Sequence, residues 1–98
     1  MGKRQITIMR KKTLLNNSTN WYIQIDGEDY DIIHGGEVKK IYLDENVHTL
    51  LVYANDTNIG KVDKVLISEG KNDYEYLVSL SATLVKNSFK SCIKIKQL

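Results

Sequence analysis

Residues Trp21 to Val52 read WYIQIDGEDYDIIHGGEVKKIYLDENVHTLLV. Three breaks divide this stretch: Asp26-Gly27, Gly35-Gly36 and Asp44-Glu45-Asn46. Gly, Asn and Asp make turns because they accept backbone angles that other side chains resist. Between the breaks, apolar and polar residues alternate, with Trp21, Ile23 and Ile25 in one set and Tyr22, Gln24 and Asp26 in the other. A strand points successive side chains to opposite faces, so this rhythm predicts short strands with one apolar face.

Working outward, further turn clusters stand at residues 16–20, 55–58 and 69–73 and at Asn87-Ser88, at intervals of about 8–12 residues. Eight strands follow, at about 4–12, 21–26, 29–34, 37–43, 47–54, 61–68, 74–86 and 89–97. In the seventh, Tyr74, Tyr76, Val78, Leu80, Ala82 and Leu84 form the inward set, and Ser79, Ser81 and Thr83 the outward one. The eighth repeats the pattern, with Phe89, Ile93 and Ile95 inward and Lys90, Lys94 and Lys96 outward. Asn87-Ser88 is expected to close a tight hairpin between them. Segments 49–54 and 65–67 are apolar on successive residues, which predicts cover on both faces. A helix over 74–86 is disfavoured because Ser, Thr, Val and Tyr are mediocre helix formers. The expected fold is all-β: a two-layer antiparallel β-sandwich of seven to eight strands with Greek-key links, immunoglobulin-like or carbohydrate-binding-like. A five-stranded OB-like barrel is the alternative.

Ninety-eight residues suffice for one domain with a single core. The single cysteine, Cys92, has no internal disulfide partner. No apolar run approaches the roughly 20 residues that cross a bilayer as a helix. The basic start MGKRQITIMRKK lacks the apolar segment of a secretory signal. The chain as given therefore points to the cytoplasm, with an excised extracytoplasmic module as the alternative. Charge is uneven. Residues 1–25 carry five cations and no acid, residues 26–75 twelve acids against five lysines, and residues 76–98 four lysines and no acid.

Ile25-Asp26-Gly27, Gly36-Glu37 and His48-Thr49-Leu50-Leu51-Val52 together form a turn–turn–strand pattern. Over residues 21–70 this resembles the small β-sandwich modules of PEGA type and related bacterial domains. Asn46 stands where that pattern carries Gly, and Asn tolerates the left-handed backbone region. The resemblance implies an immunoglobulin-like or carbohydrate-binding-like fold and a non-catalytic, extracytoplasmic or surface-display role.

Several clusters bear on chemistry. His34 and His48, with Asp26, Asp29 or Asp31, contain the elements of a two-histidine, one-carboxylate metal site, though their spacing matches no short motif. Asp26, Glu28, Asp29 and Asp31 gather oxygen ligands without the calcium-loop arrangement, so a solvated acidic hairpin is expected. Cys92, flanked by lysines, reads as a solvent-side or second-layer thiol. If the first and last strands lie side by side, Arg4, Arg10, Lys11, Lys90, Lys94 and Lys96 form a basic stripe suited to single-stranded nucleic acid. Edge lysines that discourage strand addition explain the same pattern. Trp21 is expected in the core, while Tyr22 and Gln24 face outward, where an exposed ring suits a sugar.

These readings converge on a non-catalytic binding or structural module with no cofactor, whose partner is another protein or a second copy. The expected contact residues are Tyr22, Gln24, Arg10, Lys90, Lys94 and Lys96. Nucleic-acid and carbohydrate binding are the alternatives.

Overall fold

The computed structural model describes residues 3–13, 19–56, 59–85 and 88–98, with side chains described for all of these except 83–85 and 88–90. These residues form nine strands: β1 (Arg4–Arg10), β2 (Trp21–Ile25), β3 (Glu28–Ile33), β4 (Val38–Leu43), β5 (His48–Tyr53), β6 (Ile59–Val62), β7 (Lys64–Ile67), β8 (Tyr74–Val85) and β9 (Ser88–Gln97). They build a five-stranded sheet, β4-β1-β8-β9-β6, and a four-stranded sheet, β3-β2-β5-β7. The fold is all-β, and the sheets remain two separate sheets rather than one closed barrel. One core joins them, with Ile6, Ile8, Ile41, Val78 and Ile93 from the first and Trp21, Ile23, Ile33, Leu50, Val52 and Ile67 from the second.

The alternation read in the opening stretch holds. Trp21, Ile23 and Ile25 are buried, and Asp26-Gly27 links Ile25 to its partner Glu28 as a two-residue hairpin loop. Both loop residues have positive φ, 55° at Asp26 and 84° at Gly27. Those are the signs of a type I′ turn, whose twist matches that of the flanking strands. Among the described residues Asp26 is the only non-glycine with positive φ, so Asn46 does not take the left-handed conformation expected of it.

Four expectations are corrected. Pairing is not uniformly antiparallel, because β1 lies parallel to β8 and β6 parallel to β9. Parallel neighbours need long crossovers, and here each crossover passes through the other sheet. The strand expected over 61–68 is two strands in different sheets, broken at Asp63. Asp63 donates its backbone N–H to Ile93 and accepts the N–H of Ile95 on its carboxylate at 3.0 Å, which secures the crossing. Leu80 and Ala82, expected inside, are exposed. The parallel register ends at Arg10↔Val78, so the rest of β8 runs past β1 with β9 as its partner. Finally, Leu66 is 68% exposed, since β7 is an edge strand covered on one face only. The hairpin turn expected at Asn87-Ser88 involves residue 87, which lies outside the described residues, while Val85 pairs with Ser88 on either side.

Candidate functional site

Arg4 and Arg10 share the inward face of β1 with Ile6 and Ile8, and they are 2% and 4% exposed. Neither contributes to a basic surface. Arg4 Nε donates to the carbonyl of Asp44 at 3.1 Å, one terminal nitrogen to Asn46 at 2.7 Å, and the other to Ser68. Arg10 donates to the carbonyls of Thr19 at 2.6 Å and Ile33 at 3.0 Å, and its guanidinium lies 3.8 Å from the Trp21 ring centroid. Burial pulls the pKa of Arg10 below its ordinary value. Each arginine fastens the five-stranded sheet to segments flanking the other sheet, one at each end of β1. A small cavity of about 60 Å³ opens beside Arg10, Trp21, Ile59 and Leu80. It is too small for more than a few waters.

The basic stripe is therefore not assembled. In the sheet β8 separates β1 from β9. Lys94, Lys96 and Lys11 are exposed, whereas the side chain of Lys90 is outside the described set. Cys92 is buried at 5% although it shares strand parity with exposed Lys94 and Lys96, so the second-layer reading fits it and the solvent-side one does not.

The two histidines occupy opposite ends of β2. His34 Nε2 lies 2.7 Å from Asn20 Oδ1, just before β2. His48 Nδ1 donates to Asp26 at 2.6 Å, just after β2, and His48 Nε2 donates to Asp44 at 2.7 Å. Among the described residues no cluster suited to a metal ion forms. Ionised carboxylates only accept hydrogen bonds, so His48 donates to both when it is protonated. Burial opposes this charge, but the hydrogen bonds to Asp26 and Asp44 outweigh it and raise the pKa of His48. The hydrogen bond from His48, then that from the Thr49 backbone, lowers the pKa of Asp26. The hydrogen bond from His48, then that from the Asn46 backbone, lowers that of Asp44. This trio ties the β2–β3 turn to the β4–β5 loop and is structural.

The outer face of the four-stranded sheet is different. Register places Ile32, Tyr22 and Tyr53 in one row across β3, β2 and β5. The next row holds Asp29, Gln24, Leu51 and Lys64, and Thr49 and Leu66 stand beyond it. Tyr22 and Tyr53 stack with centroids 5.2 Å apart. Outward strand positions in contact with water are ordinarily polar, so this run of Ile, Tyr, Tyr, Leu and Leu stands out.

A bulge sharpens the site. Ile23 pairs with Asp31 and Gln24 with Asp29, which leaves Tyr30 unpaired on β3. In a regular strand Asp29, Tyr30 and Asp31 would alternate between faces; here all three line one open cleft of about 360 Å³ with Tyr22 and Ile32. Re-aiming a side chain in this way is a common use of a bulge. The Tyr53 hydroxyl donates to both Asp29 oxygens, at 2.9 and 3.0 Å, and Gln24 Nε2 to one at 3.2 Å. The hydrogen bond to Asp29 raises the pKa of Tyr53.

Of the residues expected to make contact, Tyr22 and Gln24 thus meet on this face, Lys94 and Lys96 lie on the other sheet, and Arg10 is interior. Asp29 was expected only as one carboxylate of the acidic hairpin, and Tyr30 and Ile32 not at all, because an irregular strand breaks the alternation that locates faces. Comparison with protein-family models, with curated proteins and with solved structures finds no match to this chain. No helix among the described residues is long and apolar enough to cross a membrane.

Proposed function

We propose that this chain is a non-catalytic β-sandwich module, of the immunoglobulin-like or carbohydrate-binding-like kind that PEGA-type domains represent, and that it docks another polypeptide. The docking face is the outside of the four-stranded sheet. The observation that carries the reading is the bulge at Tyr30, which turns a strand edge into an aromatic cleft continuous with the Tyr22–Tyr53 stack. Apolar area of this kind supplies binding energy, and tyrosines add directional contacts at little entropic cost. Arg4 and Arg10 turn inward and take two cations away from a nucleic-acid reading, leaving Lys94 and Lys96 exposed on the other sheet. Sugar binding is the second reading, favoured by Tyr30, which is 52% exposed beside two carboxylates.

Selection from a random peptide library tests the proposal, with counter-selection on the Tyr30→Ala/Leu66→Asp variant. Both side chains are exposed, so the variant keeps its fold, and a thermal melt checks this. Clones that bind the parent and not the variant are expected. Recovery only of clones that bind both equally, or of none, overturns the reading.

A further inference from the structure

We propose that the cleft at the Tyr30 bulge selects a cationic side chain, arginine or lysine, projecting from an extended segment of the partner. This rests on the docking reading above and specifies its chemistry. The cleft joins two complementary features. It is lined by the rings of Tyr22 and Tyr30 and by Ile32, together with the carboxylates Asp29 and Asp31. Among the described residues the donors to Asp29 are neutral, the Tyr53 hydroxyl and the Gln24 amide. Its carboxylate is therefore oriented without a cation beside it among the described residues. Lys39 stands near Asp31, at 3.8 Å, but it also engages Glu37 at 3.5 Å, so it is shared.

An aromatic face attracts a cation through its quadrupole, and a fixed carboxylate accepts a guanidinium by charge-assisted hydrogen bonds. Placed together, the two favour a long side chain whose stem lies on the rings and whose head meets Asp29. An anionic ligand meets repulsion from Glu28, Asp29 and Asp31 at the same edge, which disfavours phosphates. Among the described strands β3 has a sheet neighbour on one side alone, so an extended segment can lie alongside its other edge.

The test is an NMR titration of the isotope-labelled chain with an extended arginine-bearing peptide and its citrulline counterpart, which keeps the shape and removes the charge. A xylo-oligosaccharide forms the third arm. The arginine peptide is expected to shift backbone resonances of residues 22 and 29–32 and to bind about tenfold tighter than the citrulline peptide, a gap of one charged contact. Asp29→Asn should remove most of that gap, and Tyr30→Ala should weaken both peptides. Equal binding of the two peptides, or face-directed library clones without Lys or Arg, overturns the cationic selectivity while the docking reading stands. No shift at these residues with any peptide, together with an empty library selection, removes both. Stronger shifts with the oligosaccharide than with the arginine peptide overturn the proposal in favour of a sugar site.

Discussion

Replacing Arg4 tests the central mechanical claim, that a buried guanidinium pins the two sheets together at one end. Its three carbonyl acceptors, on Asp44, Asn46 and Ser68, belong to the β4–β5 loop and the segment that follows β7. A hydrogen bond from a charged donor contributes about 1.5–3 kcal/mol net. Three of them do not simply add, because the carbonyls lie at the end of the sheets and regain some water after truncation. A loss of about 3–5 kcal/mol is expected for Arg4→Ala, the range seen when a buried charged contact is broken. For a domain of this size that is a fall in Tm of about 15–30 °C. Arg4→Met separates bonding from volume: it refills the space but donates nothing, and should fall within about 1 kcal/mol of the alanine variant. Arg4→Lys keeps the charge on a single nitrogen and should lie between the alanine variant and the parent. Urea unfolding followed by the fluorescence of buried Trp21, at the far end of β1, reports the global transition. If Arg4→Ala costs less than about 1 kcal/mol, or Arg4→Lys matches the parent, the pinning argument is wrong.

His48 should give stability a pH signature. Its folded pKa is raised above the ordinary 6.5, so its contribution is complete below that value and is lost as pH rises through the folded pKa. Asp26 and Asp44, with pKa values lowered from 3.8, contribute above that value and lose their effect as pH falls through the folded pKa. The urea midpoint should therefore decline from mildly acidic to alkaline pH in the parent, and a His48→Gln variant should show a flatter profile over that range. Ile23→Ala, at a fully buried site, is expected to cost about 2–5 kcal/mol in the same assay, against under about 0.5 kcal/mol for exposed Leu66→Ala. Cys92 should react with a thiol reagent at least about 100-fold more slowly in native buffer than in urea, because the thiol is buried. Comparable rates would mean that β9 opens readily.

The regular strands were legible in the sequence because their alternation is uninterrupted. Trp21 to Ile25 is the clearest instance, and the positive φ at Asp26 and Gly27 answers to the one turn whose chemistry was unambiguous. Arg4 and Arg10 have the charge of surface cations but the position of core residues. Their parity with Ile6 and Ile8 was visible all along and marks them as interior. The division at Asp63 was not legible, since Lys61 to Ser68 holds no Gly, Pro or Asn and the adjacent polar pair Asp63-Lys64 does not by itself announce a change of sheet. The same holds for the bulge at Tyr30, whose register is set by pairing with β2 rather than by β3 alone. Parallel pairing likewise depends on which distant segments meet, and local patterning carries no record of it.

The placement of β1 has a consequence for how the chain reaches this state. Ile6 and Tyr74 are neighbours across the sheet although most of the sequence lies between them. A chain emerging from the ribosome exposes Ile6 and Ile8 early and supplies their parallel neighbour late. Such distant closure slows folding and lengthens the interval in which sticky segments are unprotected. Holding that first segment apart from other nascent chains is thus a demand the topology places on whatever cell makes the protein.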